Sequence, residues 1–211
     1  VDQFSAKRRT DALELDPEHV AVLVVDMVND FCLADGLMPL PDADHLYAPQ
    51  RSVIDAVRST GGVVVHVVDT HRSGLREDRE FRTRAPHCIE GTHGAEVVAE
   101  LAPRPDDLVV LKRRFSGFFG TDLDLTLRDM HIEQVIVMGV VTNICVRSTV
   151  HDAFFHGYRV VVPEDTVAAT SEREQASSLY DIGTHFGTVS ASADVVAALV
   201  EGRPIANRIV A

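Results

Sequence analysis

Four stretches of the chain set reactive side chains directly after apolar runs. VAVLVVD ends at Asp26, VVVHVVDTH at Asp69 and His71, LVVLK at Lys112, and QVIVMGVVTNIC leads to Cys145. A carboxylate, an ammonium and a thiol form a chemically sensible set. A thiol attacks only as its thiolate, and a helix N-terminus favours that form through its partial positive charge. Cys145 follows Thr142-Asn143, a helix-starting pair, and Lys112 would add a full positive charge. Asp26 can take the thiol proton and return it to a leaving amine. Backbone N–H groups at the turn into the helix can hold the oxyanion of a tetrahedral intermediate. Singly, each residue has a plainer reading: a free cysteine is most often an inert small hydrophobe, and an Asp after a strand is often a turn former. Together, at three strand ends, they favour chemistry.

A second set stands beside the first. Asp69 and His71 make a D-x-H pair, and His87 follows across an irregular segment. Two imidazoles and one carboxylate suit a divalent metal, zinc first, with iron or manganese as alternatives, and leave positions open for water or substrate. The spacing alone is weak, because ten histidines offer many chance pairings. His45, His93, His131, His151, His156 and His185 read as helix or loop residues of no special role, and His66 as a core residue of a buried strand. Cys32 and Cys88 read as buried fillers; three cysteines at irregular spacing are neither a disulfide framework nor a zinc finger.

The elements that must position these groups follow from the apolar pattern. Runs rich in β-branched residues cover 20–27, 63–69, 108–112, 134–141, 158–163 and 188–191. Short runs without polar alternation read as strands buried on both faces, the habit of parallel sheets. Between them, 42–60, 94–102, 120–131, 144–157 and 171–186 are each long enough for a helix with an apolar face. The alternation predicts a three-layer α/β sandwich around a parallel sheet of about six strands, in one domain over 1–211. Ligands of such sheets bind outside the carboxyl ends of the strands, where the reactive residues stand. The longest irregular segment, 71–92, is a functional candidate by its length.

Composition narrows the partners. A formal net charge of -12 argues against a general binder of nucleic acid or anionic membranes. The only lysines are Lys7 and Lys112, an Arg-for-Lys bias that high genomic GC content or a salty cytoplasm would each produce. No apolar segment reaches eighteen residues, and VDQFSAKRRTDALELD lacks the apolar core of a signal peptide, so a cytoplasmic location is expected. A homo-oligomer is expected as well, as is common for such folds.

VLVVDMVNDF, D-T-H, PHCIEGTHGAE, LKRRFSGFFGTDLD and GVVTNICVRSTVHDAFFHGYRVVVPEDTVAA run in order over about 20–170. In these pieces the chain resembles the isochorismatase-like cysteine hydrolases, and within them the nicotinamidase-like amidohydrolases. The resemblance implies a triad of Asp26, Lys112 and Cys145, a cis peptide between Val140 and Val141, and an oxyanion hole from the N–H groups of Val141 and Cys145. It implies a metal on Asp69, His71 and His87. The implied reaction is hydrolysis of a small-molecule amide through a thioester, nicotinamide to nicotinate plus ammonia, with the metal positioning a substrate heteroatom. Two departures stand out. Val28 replaces the usual glutamine, and Thr70 occupies the slot where nicotinamidases commonly carry a tryptophan that holds the pyridine ring; the chain has no tryptophan. Phe31, Phe115 or Phe118, with Phe119 beside them, would then supply aromatic contact. The missing tryptophan favours a carbamoyl hydrolase acting on ureido acids or biuret as the alternative substrate class. From another class, a non-catalytic binding protein on the same fold is opposed by the intact Asp, Lys and Cys. Arg113 and Arg114 read as solvated surface, with contact to an acidic substrate as their alternative.

Overall fold

The computed structural model describes residues 12–74 and 77–209; the first eleven residues of the N-terminal stretch lie outside them. Its frame is a parallel sheet. The strands in chain order are β1 (Val20–Val25), β2 (Val63–Asp69), β3 (Leu108–Lys112), β4 (Gln134–Val140), β5 (Arg159–Pro163), β6 (Val167–Ala168) and β7 (Thr188–Ser190). They lie side by side as β3-β2-β1-β4-β5-β7. The two-residue β6, which the apolar pattern missed, pairs with the end of β4. In β1 the alternation of side chains feeds two cores. Val20, Val22 and Val24 pack toward Val53, Val57, Val195 and Leu199, while Ala21, Leu23 and Val25 pack toward Leu127, Val146, Val150 and Ala153. Two helices therefore cover one face, α2 (Tyr47–Ser59) and α6 (Ser192–Glu201). The other face carries α3 (Leu123–Asp129), α4 (Arg147–Phe155) and α5 (Glu172–Asp181). All-round burial explains why the strand sequences show no polar alternation.

The helical segments are shorter than the pattern predicts. The segment 94–102 forms no α-helix, only 3-10 turns at His93–Ala95 and Ala99–Leu101. Its backbone is drawn into other pairings: Asn29 N–H donates to Glu96 O, Val98 N–H donates to Met27 O, and Val28 bridges Val97 antiparallel. These exchanges fix the short helix α1 (Asn29–Cys32) beside the segment. The helix expected at 144–157 begins with a π turn, Thr142–Val146, before α4, and the one expected at 171–186 ends in another, Ile182–Phe186. No helix among the described residues is long and apolar enough to cross a membrane.

Two backbone features aim the strand ends. Gly139 in β4 has φ +114°, and a Cβ there would collide with Val25 O, so only glycine lets β4 run this close to β1. Directly after β1, Asp26 turns left-handed at φ 54°, a conformation that Asp tolerates better than most residues. Its N–H donates to Val67 O at 2.9 Å, tying the turn to β2.

Candidate active site

The central strands are in register at their carboxyl ends, and this register builds the site. Asp69 pairs with Lys112 across β2 and β3, and Val25 pairs with Gly139 across β1 and β4. The three expected catalytic side chains are thereby brought together in the interior. Lys112 Nζ lies 2.9 Å from Asp26 Oδ2, 3.3 Å from Asp69 Oδ1 and 3.7 Å from Cys145 Sγ. The other oxygen of Asp26 accepts from Asp69 N–H at 2.8 Å. Lys112 and Asp26 are fully buried.

Such burial sets the protonation states. Burial pushes Asp26 up to about 6, against the pull of Lys112. Burial would lower Lys112, but Asp26, Cys145 and Asp69 more than reverse this, and it remains an ammonium. Asp69 is likewise opposed by burial, yet Lys112 and the two histidines hold it well below the usual carboxylate range. A thiol activated by a helix terminus is what the sequence predicts. Instead burial, despite Lys112, raises Cys145 well above the ordinary thiol range. That direction favours the protonated thiol at neutral pH, with the Asp26 carboxylate held against the same ammonium that contacts the sulfur.

Cys145 lies in the first turn after β4. Ile144 and Val146 N–H both donate to Val141 O, at 3.0 and 3.3 Å, closing the turn around the thiol. The Val140–Val141 peptide is cis. Val141 and Cys145 together border a cavity of about 390 Å³ that also reaches Asp69 and His87.

The D-x-H pair and His87 also converge: one ligand atom from each of Asp69, His71 and His87 falls within 4.8 Å of the others. His71 Nε2 and His87 Nε2 lie 3.4 and 3.6 Å from Asp69 Oδ2. The Nδ1 of His71 is engaged by Asp78 Oδ2 at 2.9 Å and that of His87 by Ala85 O at 2.8 Å. When each Nδ1 carries the hydrogen, each Nε2 turns a lone pair toward the carboxylate, and His71 Nε2 has no hydrogen-bond partner. Acceptors facing acceptors call for a cation. Tetrahedral zinc, at about 2.0–2.1 Å from nitrogen, spaces its ligands about 3.3 Å apart, near the separations observed here. Without a metal the space suits a proton, and Asp69 and Asp78 raise His71 although its burial opposes them. The residues fit a divalent ion.

The two ends of segment 71–92, at His71 and at Cys88 and Glu90, are pinned together beside the site. His71 N–H donates to Cys88 O and Glu90 N–H to His71 O, both at 2.8 Å, while Cys88 N–H donates to buried Asp30 at 2.6 Å. These bonds set His87 against His71.

The aromatic expectations divide. Phe31 and Phe115 line the cavity. Phe118 does not: it packs in the core against His156 and Tyr158, because the turn after β3 sends it under α4 rather than toward Cys145. Phe119 is 65% exposed on the outer surface. Thr70 is turned away and tied down, its Oγ1 accepting from Arg113 at 2.8 Å. Arg113 also pairs with Glu90, and Arg114 stands 3.7 Å from Asp78, so neither reaches the cavity wall. The sequence reading missed Asp30 and Asp78, which bond to Cys88 N–H and to His71 Nδ1, and Glu80 and Arg84, which line the cavity. Only the length of the irregular segment signalled the last three.

A family model for the isochorismatase domain matches residues 20–194. The ureidoacrylate amidohydrolase RutB of Enterobacter sp. (strain 638) is 33% identical over 210 residues, covering 88% of this chain and 91% of that protein. Among solved structures, N-carbamoylsarcosine amidase from Thermoplasma acidophilum is 38% identical, covers 82% of this chain and 96% of its own, and superposes with a TM-score of 0.74. The pyrazinamidase of Pyrococcus horikoshii in complex with zinc is 29% identical, with 82% and 99% covered and a TM-score of 0.75.

Proposed function

The chain belongs to the isochorismatase family and is an amidohydrolase acting on non-peptide C–N bonds, and from that premise we propose that it works through a thioester on Cys145. The observation that carries the reading is the buried contact of Lys112 with Asp26 and Cys145 beside a small cavity. Asp26 takes the thiol proton as Cys145 Sγ attacks the amide carbon, and Lys112 lowers the energy of the anionic sulfur. The N–H groups of Val141 and Cys145 hold the oxyanion. Asp26 returns the proton to the departing nitrogen, which leaves as ammonia or an amine. It then takes a proton from water, whose oxygen attacks the thioester carbon. The acid departs and Cys145 regains its hydrogen. Asp69, His71 and His87 would hold a divalent ion, zinc first, which when bound supplies a Lewis acid for a substrate heteroatom. His87, which lines the cavity, borders that end of the substrate and helps orient it so that the carbonyl meets the thiol.

Two substrate classes share this chemistry. A heteroaromatic amide such as nicotinamide is supported by the Asp69, His71 and His87 set and by Phe31 and Phe115 on the cavity wall. A carbamoyl compound is supported by Thr70, which leaves the cavity without the ring-holding residue of nicotinamidases, and by the ureidoacrylate and carbamoylsarcosine relatives. Ammonia release from nicotinamide and from 3-ureidopropionate, with and without zinc, separates the two. Cys145→Ala should lower release by about 10⁴-fold or more, and mass spectrometry of the quenched wild-type enzyme should show the acylated cysteine. Near-normal turnover by Cys145→Ala would refute the thioester. The expected cytoplasmic location and homo-oligomeric state form part of this proposal.

A further inference from the structure

Arg84 is the one arginine or lysine on the cavity wall, and no carboxylate among the described residues comes within 4.0 Å of it. In sequence it falls between His71 and His87, just past a 3-10 turn, with its N–H donating to Glu80 O at 3.1 Å. Its guanidinium stands over the Phe115 ring, 5.2 Å from the centroid. Neighbouring charges are engaged elsewhere: Asp69 by Lys112 and the histidines, Arg113 by Glu90, Arg114 beside Asp78. The remaining wall carboxyl, Glu80, does not come within 4.0 Å of the guanidinium. A cation left open on a cavity wall is uncommon in a chain with a formal net charge of -12. The contact with Phe115 holds the guanidinium at the cavity wall, and a guanidinium without a carboxylate partner is suited to a planar, two-oxygen acceptor. The cavity, about 390 Å³, places Arg84 and the Cys145 thiol on one surface.

We propose that Arg84 is a specificity residue that takes the carboxylate of a small ureido or amido acid while the scissile carbonyl lies at Cys145. The inference rests on the amidohydrolase reading and narrows its substrates to acids. Arg84 recognises the end of the substrate that does not react, so it selects by binding and leaves the chemistry to Asp26, Lys112 and Cys145.

Binding to Cys145→Ala protein stripped of metal tests this without turnover and without a metal to compete for the carboxylate. The probes are 3-ureidopropionate and its uncharged methyl ester, compared by calorimetry. The acid should bind about 10- to 100-fold more tightly than the ester, the range of a charge-assisted, two-toothed contact. Adding Arg84→Gln should erase that preference and leave ester affinity and thermal midpoint unchanged; Arg84→Lys should keep part of it. An acid-to-ester ratio untouched by Arg84→Gln, a parent protein without the preference, or no measurable binding of the acid would each overturn the assignment. Turnover by the wild-type chain separates the two levels. An intact, Arg84-dependent preference without hydrolysis of the acid counts against the hydrolase reading alone. Hydrolysis of the acid with an unchanged KM in Arg84→Gln counts against Arg84 alone.

Discussion

Replacing Lys112 by Met keeps nearly the same buried volume and removes one charge, which makes it the sharpest probe of the proposed catalytic cluster. The ammonium faces two carboxylates, Asp26 at 2.9 Å and Asp69 at 3.3 Å. At an effective dielectric constant of about 20, each contact represents a gross attraction of about 5 to 6 kcal/mol. Desolvation of three buried groups offsets much of this, and breaking a buried pair by deleting one partner costs about 3–5 kcal/mol net. For a chain of this length each kcal/mol shifts the melting temperature by about 2–4 °C, so Lys112→Met should melt about 6–20 °C lower at pH 7.5 in chelator. Part of the loss should return on acidification. Asp26, already raised to about 6 with the ammonium present, rises further without it and is relieved by taking a proton. Zinc should also restore part of it by supplying a cation against Asp69. The same variant leaves the Cys145 sulfur without its counter-charge, and kcat should fall by about 10²- to 10³-fold. Scanning calorimetry at pH 7.5 and pH 5.5, with chelator or zinc, together with steady-state kinetics, reads all three effects. A melting temperature within about 2 °C of wild type, or a kcat within about threefold, would refute Lys112 as the shared counter-ion.

Other perturbations test the surrounding elements. Asp78→Ala removes the carboxylate that holds His71 Nδ1 and should weaken zinc binding about 10- to 100-fold, read by competition with a chromogenic chelator; unchanged affinity would leave Asp78 no part in orienting His71. Gly139→Ala forces a Cβ into Val25 O at a φ of +114° and should cost more than about 4 kcal/mol; a urea midpoint like that of wild type would rule out the close strand approach. His66 is a buried histidine of β2 whose pKa is lowered, by burial first, with Asp107 opposing. Because its folded value lies below the unfolded 6.5, the unfolded chain binds the extra proton, and stability falls as pH drops below about 6.5. His66→Leu should flatten the difference between urea midpoints at pH 7 and pH 5.5; the acid loss from Asp107, itself lowered, belongs near and below its unfolded value of 3.8 and does not interfere.

What the sequence made legible depended on how local its physics was. Parallel strands buried on both faces leave their signature in consecutive residues, so all strands but β6 appeared within two residues of their ends, and Asp26, Asp69, Lys112 and Cys145 could be placed at or just after those ends. Elements settled by distant partners stayed hidden. The helix α6 begins after Ala191, with no local capping side chain; Ser192 N–H and Oγ instead bond to Asp165, 2.7 and 2.5 Å away and 27 residues earlier in the chain. The reverse error arose at 94–102, where a helical pattern lost to pairing with residues 27–29. There Gly94 leaves room that the Asp30 carboxylate fills, so closely that any side chain at 94 would displace it. The state of the nucleophile was hidden for the same reason. A helix start and a lysine both argue for a lowered thiol pKa, but burial of Cys145, a property of packing from distant elements, outweighs them. Burial there does more than reverse the expected shift. On the proposed thioester route it gives Asp26 a task, because a thiol protonated at rest attacks only while a base withdraws its proton, and it gives Lys112 another, because the sulfur anion then formed is poorly hydrated. In that proposal the carboxylate and the ammonium answer one cause, the burial that the parallel sheet and its two helical layers impose at the end of β4.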